Sequence, residues 1–167
     1  EGIASNKILK VGNTIVDSVL QNREISKNSS ILKRWNLQKK NYFLTTFHRQ
    51  ENVDFYENIS KFVELLIELS SHKKIVFSLH PRTKKKLKQF NLIDTINNKD
   101  IIILEETGYI DFLSLLSNCE VVLTDSGGIQ EEACIVKVPC ITLRNSTERP
   151  ETIDIGSNFL THLDKDL

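Results

Sequence analysis

Short apolar runs alternate with longer amphipathic stretches along this chain of 167 residues, and this alternation constrains the fold more than any other feature. The short runs have the length of buried strands, and the longer stretches repeat their apolar residues with helical spacing. Strands that alternate with helices predict a parallel sheet covered by helices on both faces. We therefore expect a Rossmann-like α/β domain.

Seven strands are predicted, over residues 8–11, 42–46, 75–79, 101–104, 121–124, 140–143 and 158–160. Apolar helical faces begin near Ile15, Ile59 and Phe112. The length fits one domain with a real core, and no internal repeat or linker divides it. We expect residues 1–167 to form a single folded unit.

Composition excludes several classes of partner. Lys plus Arg and Asp plus Glu number 22 each, so a net charge of zero gives no support for binding to nucleic acid or to a membrane surface. No apolar run approaches the roughly 18 residues of a membrane span. The three cysteines are odd in number and lack a zinc-type pair, which predicts reduced thiols in a cytoplasmic protein.

The most specific motif follows the predicted strand 121–124. Ser126, Gly127 and Gly128 lie between this strand and an apolar helix. Such a turn binds anions, because glycines let a phosphate approach the backbone and the helix dipole favours negative charge. We expect Ser126 to act as both helix cap and ligand. The alternative is an ordinary helix start without a ligand.

Two carboxylates, Glu131 and Glu132, come one helical turn later. Glu132 lies four residues after Gly128, on the same helix face, where a carboxylate can accept both hydroxyls of a ribose. The alternative for either carboxylate is a charge that stabilises the first turn of the helix. We favour ribose binding for Glu132 and this alternative for Glu131.

Polar residues follow four other predicted strands, and parallel strands bring their carboxyl ends to one edge of the sheet. These residues are His48 and Arg49, then His80, then Thr107 with Phe112 behind it, then Arg144 and Arg149. Arginine offers permanent charge to phosphate, histidine exchanges protons near neutral pH, and an aromatic ring stacks on a base. Surface ion pairs are the alternative for the charged residues, and core packing is the alternative for Phe112.

On these motifs the chain resembles the C-terminal half of the non-hydrolysing UDP-N-acetylglucosamine 2-epimerases. The matching segments are residues 12–17, 47–52, 109–112, 123–133, 143–144 and 147–151, in family order and with family-like spacing. The resemblance implies one half of a glycosyltransferase-B-like fold, in which residues 1–167 bind UDP and the N-terminal catalytic half is absent. It also implies UDP or a UDP-N-acetylhexosamine as ligand, a homodimeric full-length enzyme and no metal or other cofactor.

The same resemblance assigns roles by position. Ser126, Gly127 and Gly128 match the phosphate-binding segment, Glu132 the ribose carboxylate, and Arg149 a phosphate-contacting arginine. Phe112 and Thr107 match the uracil side. His48 matches a histidine of catalysis or diphosphate stabilisation, and His80 resembles one near the interdomain cleft. Where the family commonly has a glycine, this chain has Lys137, a change that costs roughly 1 kcal/mol if the left-handed conformation persists.

The family reaction inverts C2 of the sugar by eliminating UDP and adding it back. The resemblance places the acids and bases that act at C2 in the absent half, so we expect this chain alone to be inactive. Two alternatives stay open. The full protein can act on a UDP-diacetamido-uronate, or the chain can be a non-catalytic module that binds nucleotide sugars.

Overall fold

A computed structural model describes residues 2–97, 100–161 and 163. The chain begins with a short 3-10 helix, Ser5–Lys7, and then alternates helices and strands. The strands are β1 Phe43–Thr46, β2 Ile75–Ser78, β3 Ile101–Leu104, β4 Val121–Thr124, β5 Cys140–Leu143 and β6 Asn158–Thr161. The helices are α1 Thr14–Lys27, α2 Ile31–Arg34, α3 Gln50–Val53, α4 Tyr56–His72, α5 Pro81–Gln89, α6 Tyr109–Asn118, α7 Gly127–Val136 and α8 Pro150–Asp154.

All six strands form one parallel sheet in the order β3-β2-β1-β4-β5-β6. The chain works outward from β1 to β3, then returns to pair β4 with β1 on the other side. The boundary between β1 and β4 is therefore the point where strand order reverses. Ligands of open α/β sheets bind at this point, outside the carboxyl ends of the strands.

The sheet buries both of its faces, because its side chains alternate between two hydrophobic clusters. Ile75 and Phe77 of β2 pack with α4 and α5 in one cluster. Val76, between them, packs with α2, α6 and α7 in the other. Strands covered on both sides read as nearly continuous apolar runs, which is why their positions were predictable. The predicted Rossmann-like architecture is confirmed.

The predicted strand over residues 8–11 is wrong. This segment has no regular structure, and Ile8, Leu9 and Val11 are exposed. A strand needs a neighbour to accept its backbone hydrogen bonds, and among the described residues this segment is not paired with the sheet. The other six predicted strands are present, with bounds that differ by one residue in β1, β2 and β6.

Helix α7 ends as the sequence suggested. Lys137 follows it in the left-handed conformation, with φ 60° and ψ 45°. Its N–H donates to the helix carbonyls of Ala133 and Cys134, which closes the last turn. A lysine thus occupies a conformation that a glycine adopts without steric cost. Among the helices of the described ranges, none is both long and apolar enough to span a membrane.

Candidate functional site

A cleft of about 340 Å³ opens at the carboxyl edge of the sheet, beside the reversal between β1 and β4. Its walls come from the ends of β1, β2 and β3 and from the starts of α5, α6 and α7. The lining residues are Thr46, His48, Ser78, Leu79, His80, Pro81, Glu105, Thr107, Phe112, Ile129 and Glu132. Five residues predicted from sequence, His48, His80, Thr107, Phe112 and Glu132, are therefore brought together.

The loop that carries His48 is held by Asp125, which directly follows β4. The Asp125 carboxylate is fully buried and accepts hydrogen bonds from the backbone N–H groups of His48, at 2.9 Å, and Arg49, at 2.7 Å. The Asn52 side chain donates to the same carboxylate at 3.1 Å. The Nδ1 atom of His48 lies 3.5 Å from Asp125 Oδ1. The His48 ring therefore lies beside a buried carboxylate.

The ring of His80 lies beside that of His48 in the cleft lining, with ring centroids 5.1 Å apart. It caps α5, because its Nδ1 accepts the N–H of Arg82 at 3.1 Å. Burial lowers the pKa of His80, and the nearby His48 and Arg82 lower it further. An accepting Nδ1 and a lowered pKa favour the neutral ring with its proton on Nε2. His80 thus offers the cleft an N–H donor without a full charge.

Glu132 lines the cleft from α7, and Tyr109 at the start of α6 is hydrogen-bonded to it. Burial raises the pKa of Glu132, and the neighbouring Glu131 adds to the effect, while the bond to Tyr109 opposes it. A desolvated carboxylate of this kind is a strong acceptor for hydroxyl donors.

Helix α7 begins at Gly127, and Ser126 occupies the N-cap position as predicted. The predicted side-chain cap is wrong, because the Ser126 hydroxyl accepts no capping hydrogen bond. The Ser126 N–H is instead occupied by Thr124 Oγ1 at 3.0 Å, since a threonine two residues earlier can close this turn. The Ser126 hydroxyl is thereby left available to a ligand.

The two glycines of this turn are not required by the backbone. Neither has a positive φ. A Cβ on Gly128 would meet no atom of the described chain within 4 Å, and one on Gly127 would make only ordinary contacts of 3.7 Å. Glycine in a helix costs stability without giving any packing benefit here. The open space beside Gly128 is therefore what an approaching ligand needs.

Arg49 and Arg144 meet at Glu148, away from the cleft lining. Arg144 makes a bidentate contact to Glu148, with distances of 2.7 and 3.0 Å, and Arg49 lies 3.4 Å from the same carboxylate. These arginines, with the hydrogen bond from Arg144 first, lower the pKa of Glu148 to about 2. Arg144 also lines a separate cleft of about 320 Å³ with Glu51 and Asn145. Arg144 thus forms the ion pair that we gave as the alternative to ligand binding, and a ligand role for Arg144 stays a prediction.

Arg149 is paired with Glu131, the carboxylate to which we assigned a dipole role. Their Nε and Oε2 atoms are 2.8 Å apart. The assignment is wrong, because the first turn of α7 contains no acid and Glu131 is buried one turn deeper. Asn13 donates from its side chain to the other oxygen of Glu131 at 2.7 Å. Arg149 does not line the cleft itself, and its role toward a ligand stays a prediction.

Thr107 and Phe112 form part of the cleft wall. The Thr107 hydroxyl is buried and has no hydrogen-bond partner within the described part of the chain. Phe112 is half-buried, with one part packed on the core and another lining the cleft. An unpartnered hydroxyl beside a partly open ring suits a planar polar group such as a base.

Three residues of the site were not assigned from sequence. Asp125 and Asn52 hold the His48 loop, and Tyr109 holds Glu132. The structural role of Asp125 could have been inferred from sequence, since an acid that directly follows a buried strand needs donors from another part of the chain. Over residues 2–97, 100–161 and 163, no group of three or more metal-ligating side chains is placed to hold an ion.

The strand order and the position of the cleft define a Rossmann-like α/β domain that takes its ligand at the reversal of the sheet. A family model described as UDP-N-acetylglucosamine 2-epimerase matches residues 1–166. The chain belongs to this family, and it forms one Rossmann-like half of the family's glycosyltransferase-B-like fold.

Individual relatives support the assignment. The UDP-N-acetylglucosamine 2-epimerase of Methanocaldococcus jannaschii is 55% identical over 166 residues, which are 96% of this chain and 45% of the relative. Its crystal structure, in complex with UDP-GlcNAc and UDP, has a TM-score of 0.88, with 99% of this chain and 47% of that chain covered. A UDP-2,3-diacetamido-2,3-dideoxy-D-glucuronate 2-epimerase of Pseudomonas aeruginosa is 32% identical over 162 residues, 96% of this chain and 43% of the relative. The chain thus spans about half the length of the curated relatives it matches.

Proposed function

We propose that this chain is the UDP-binding half of an enzyme that interconverts UDP-GlcNAc and UDP-ManNAc. The observation that carries the proposal is the cleft that unites His48, His80, Thr107, Phe112 and Glu132 at the reversal of the sheet. Family membership supports it, as does the similarity to a relative crystallised with UDP-GlcNAc and UDP.

The nucleotide would lie along the cleft from the Thr107 wall to the start of α7. The ring of Phe112 and the hydroxyl of Thr107 face the uracil, and the carboxylate of Glu132 accepts the two ribose hydroxyls. The free N–H groups at Gly127 and Gly128, with the Ser126 hydroxyl, receive the diphosphate. The space beside Gly128 allows the phosphate to reach the backbone.

Cleavage of the bond between the anomeric carbon and UDP places negative charge on the leaving diphosphate. Groups that stabilise this charge lower the barrier of the chemical step. We assign this role to His48, beside Asp125, with the charges of Arg149 and Arg49 as support. His80 adds a neutral N–H donor to the cleft, and Arg144 adds a positive charge behind it.

The rest of the reaction inverts C2. Loss of the C2 proton and of UDP gives a 2-acetamidoglucal, and return of a proton to the opposite face of C2 with re-addition of UDP completes the epimerisation. This exchange uses no metal or nicotinamide. We assign the acid and base at C2 to an N-terminal half of the full-length protein, which we propose to be a homodimer. Residues 1–167 alone should bind UDP but should not epimerise the sugar of a UDP-sugar.

A second candidate keeps the chemistry and changes the sugar. The Pseudomonas aeruginosa relative is named for a diacetamido-glucuronate substrate, and its 32% identity covers nearly the whole chain. The 55% identity to the Methanocaldococcus jannaschii relative favours UDP-GlcNAc. A third candidate, a nucleotide-sugar-binding module without catalysis, predicts binding without turnover even in the full-length protein. We place the reaction in the cytoplasm, in keeping with three free cysteines, where it would supply cell-surface polysaccharide synthesis.

Titration calorimetry with UDP tests the proposal directly. We expect saturable binding to the chain, and weaker binding to Glu132→Ala and Arg149→Ala, with circular dichroism used to verify that both variants are folded. Glu68→Ala, an exposed glutamate of α4, is the matched control and should bind as the unmodified chain does. No binding at millimolar UDP by folded protein would refute the proposal. Product analysis of the full-length protein with both UDP-sugars separates the three candidates.

A further inference from the structure

Glu131 is a buried carboxylate that the proposed reaction does not use. It is 7% exposed, lies next to Glu132 on α7, and does not line the cleft. A buried charge persists only when a partner compensates it. Glu131 has two such partners from distant parts of the chain, Arg149 before α8 and Asn13 before α1.

The contact between Glu131 and Arg149 acts through charge. Their nearest atoms, Oε2 and Nε, are 2.8 Å apart, yet they do not meet the geometry of a hydrogen bond within the described chain. One further contact restrains the guanidinium, because Nη1 donates to the carbonyl of Glu148 at 3.0 Å. Glu131 therefore holds the arginine in place without taking up the N–H groups that an anion would use.

Asn13 in turn holds Glu131. Its Nδ2 donates to Oε1 of Glu131 at 2.7 Å, while its Oδ1 accepts the N–H of Ile15 at 2.9 Å and caps α1. Since the cap fixes one end of the amide, the other end is aimed at the carboxylate. The order of support therefore runs from the start of α1, through Glu131, to Arg149.

We propose that Glu131 is a positioning residue that orients Arg149 toward the diphosphate of the bound nucleotide. The inference rests on the proposed function, in which Arg149 contacts phosphate. It assigns a role to a carboxylate that would otherwise weaken the site, because a negative charge beside Arg149 reduces the attraction of that arginine for an anion.

The two effects of Glu131 on phosphate binding have opposite signs, so one substitution separates them. Glu131→Gln keeps the side-chain volume and an oxygen for Asn13 but removes the charge. If orientation dominates, the variant binds UDP about 5- to 20-fold more weakly. If charge neutralisation dominates, the variant binds UDP more tightly and the inference is wrong.

Uridine is the matched ligand, since it lacks the diphosphate. A phosphate-orienting role predicts that Glu131→Gln leaves uridine binding within about twofold of the unmodified chain, a change near 0.4 kcal/mol. A general distortion of the cleft would weaken both ligands equally, which would overturn the inference. Asn13→Ser is a second variant, because serine keeps the helix cap but loses the donor to Glu131. It should weaken UDP binding in the same direction and by less.

A double-substitution cycle completes the test. In the background of Arg149→Ala, Glu131→Gln should have no further effect on UDP affinity, because the arginine it orients is gone. A further loss of UDP affinity in that background would overturn the inference. The proposed function is tested separately, by UDP binding to the unmodified chain and by product analysis of the full-length protein.

Discussion

The carboxylate of Glu132 and the hydroxyl of Tyr109 share a hydrogen bond at the mouth of the cleft, between the starts of α6 and α7. Tyr109 is also hydrogen-bonded to Ser18 of α1. Glu132, the proposed ribose-binding residue, is therefore tied to α6 through Tyr109, and Tyr109 is tied to α1. Burial raises the pKa of Glu132 above its ordinary value. A titratable residue in a cleft whose pKa is shifted by burial indicates a functional role.

Glu132→Gln should stabilise the domain and weaken its ligand binding. Folding raises the pKa of Glu132, so the folded state favours the protonated carboxyl. Below about pH 4.5 the carboxyl is protonated in both states and costs no stability, whereas stability is lost as pH rises through the folded-state pKa. At pH 7.5 the variant should melt about 1–4 °C higher than the unmodified chain. At pH 4 the two should melt together, and the variant should bind UDP at least about tenfold more weakly at pH 7.5. Equal melting temperatures at pH 7.5 would contradict this prediction.

Gly128→Ala should also stabilise the domain and weaken UDP binding, in this case because the added methyl group blocks the ligand. Alanine in the first turn of α7 is expected to raise the free energy of unfolding by about 0.5–1 kcal/mol. Its methyl group enters the space that the diphosphate would occupy, so UDP affinity should fall by at least about tenfold. Urea denaturation and calorimetry measure the two effects.

The matched control is Gly156→Ala, after α8. Its φ of +73° makes alanine unfavourable there, so this variant should lose about 1 kcal/mol of stability while binding UDP normally. If Gly128→Ala bound UDP as well as the unmodified chain, the glycine turn would not be the phosphate site.

Asp125→Asn should destabilise the fold strongly. The substitution replaces one accepting oxygen by an N–H donor in a fully buried site that receives three donors, from His48, Arg49 and Asn52. Leaving a buried donor without an acceptor costs about 1–3 kcal/mol, and we expect a loss in the upper part of this range. The midpoint of urea unfolding measures it, with the exposed Asp154→Asn as the control. A shift no larger than that of the control would show that the carboxylate does not hold the loop.

Lys137→Gly should stabilise the domain by about 0.5–1 kcal/mol, because glycine adopts the left-handed conformation without steric cost. The control is Lys85→Gly in the exposed face of α5, which should lose about 1 kcal/mol. Opposite signs for two identical changes of residue type would demonstrate that backbone conformation decides the effect. A loss of stability at both positions would contradict the prediction.

Apolar runs predicted β1, β2, β4 and β5 because these inner strands lie between two hydrophobic clusters, whereas Phe159 of the edge strand β6 is exposed. The same rule failed at Ile8, Leu9 and Val11, since an apolar run reports side-chain pattern and not the presence of a hydrogen-bonding neighbour. His48, His80 and Thr107 were predictable as cleft residues because each follows a predicted strand, and parallel strands end at one edge of the sheet.

The supports of the site were less predictable, because their partners are far away in the chain. Asn13 and Glu131 are separated by 118 positions, and His48 and Asp125 by 77. Neither pairing leaves a local pattern. Glu131 and Glu132 look equivalent in sequence, yet adjacent positions on a helix point in different directions, so one meets Arg149 and the other the cleft.

The contacts of Asp125 to the loop after β1 are made mainly with main-chain nitrogens, those of His48 and Arg49. Every residue except proline supplies such a nitrogen. The shape of the loop is thus independent of which side chains it displays at these two positions. Evolution can exchange the reactive groups at this edge of the sheet one at a time, without rebuilding the scaffold beneath them.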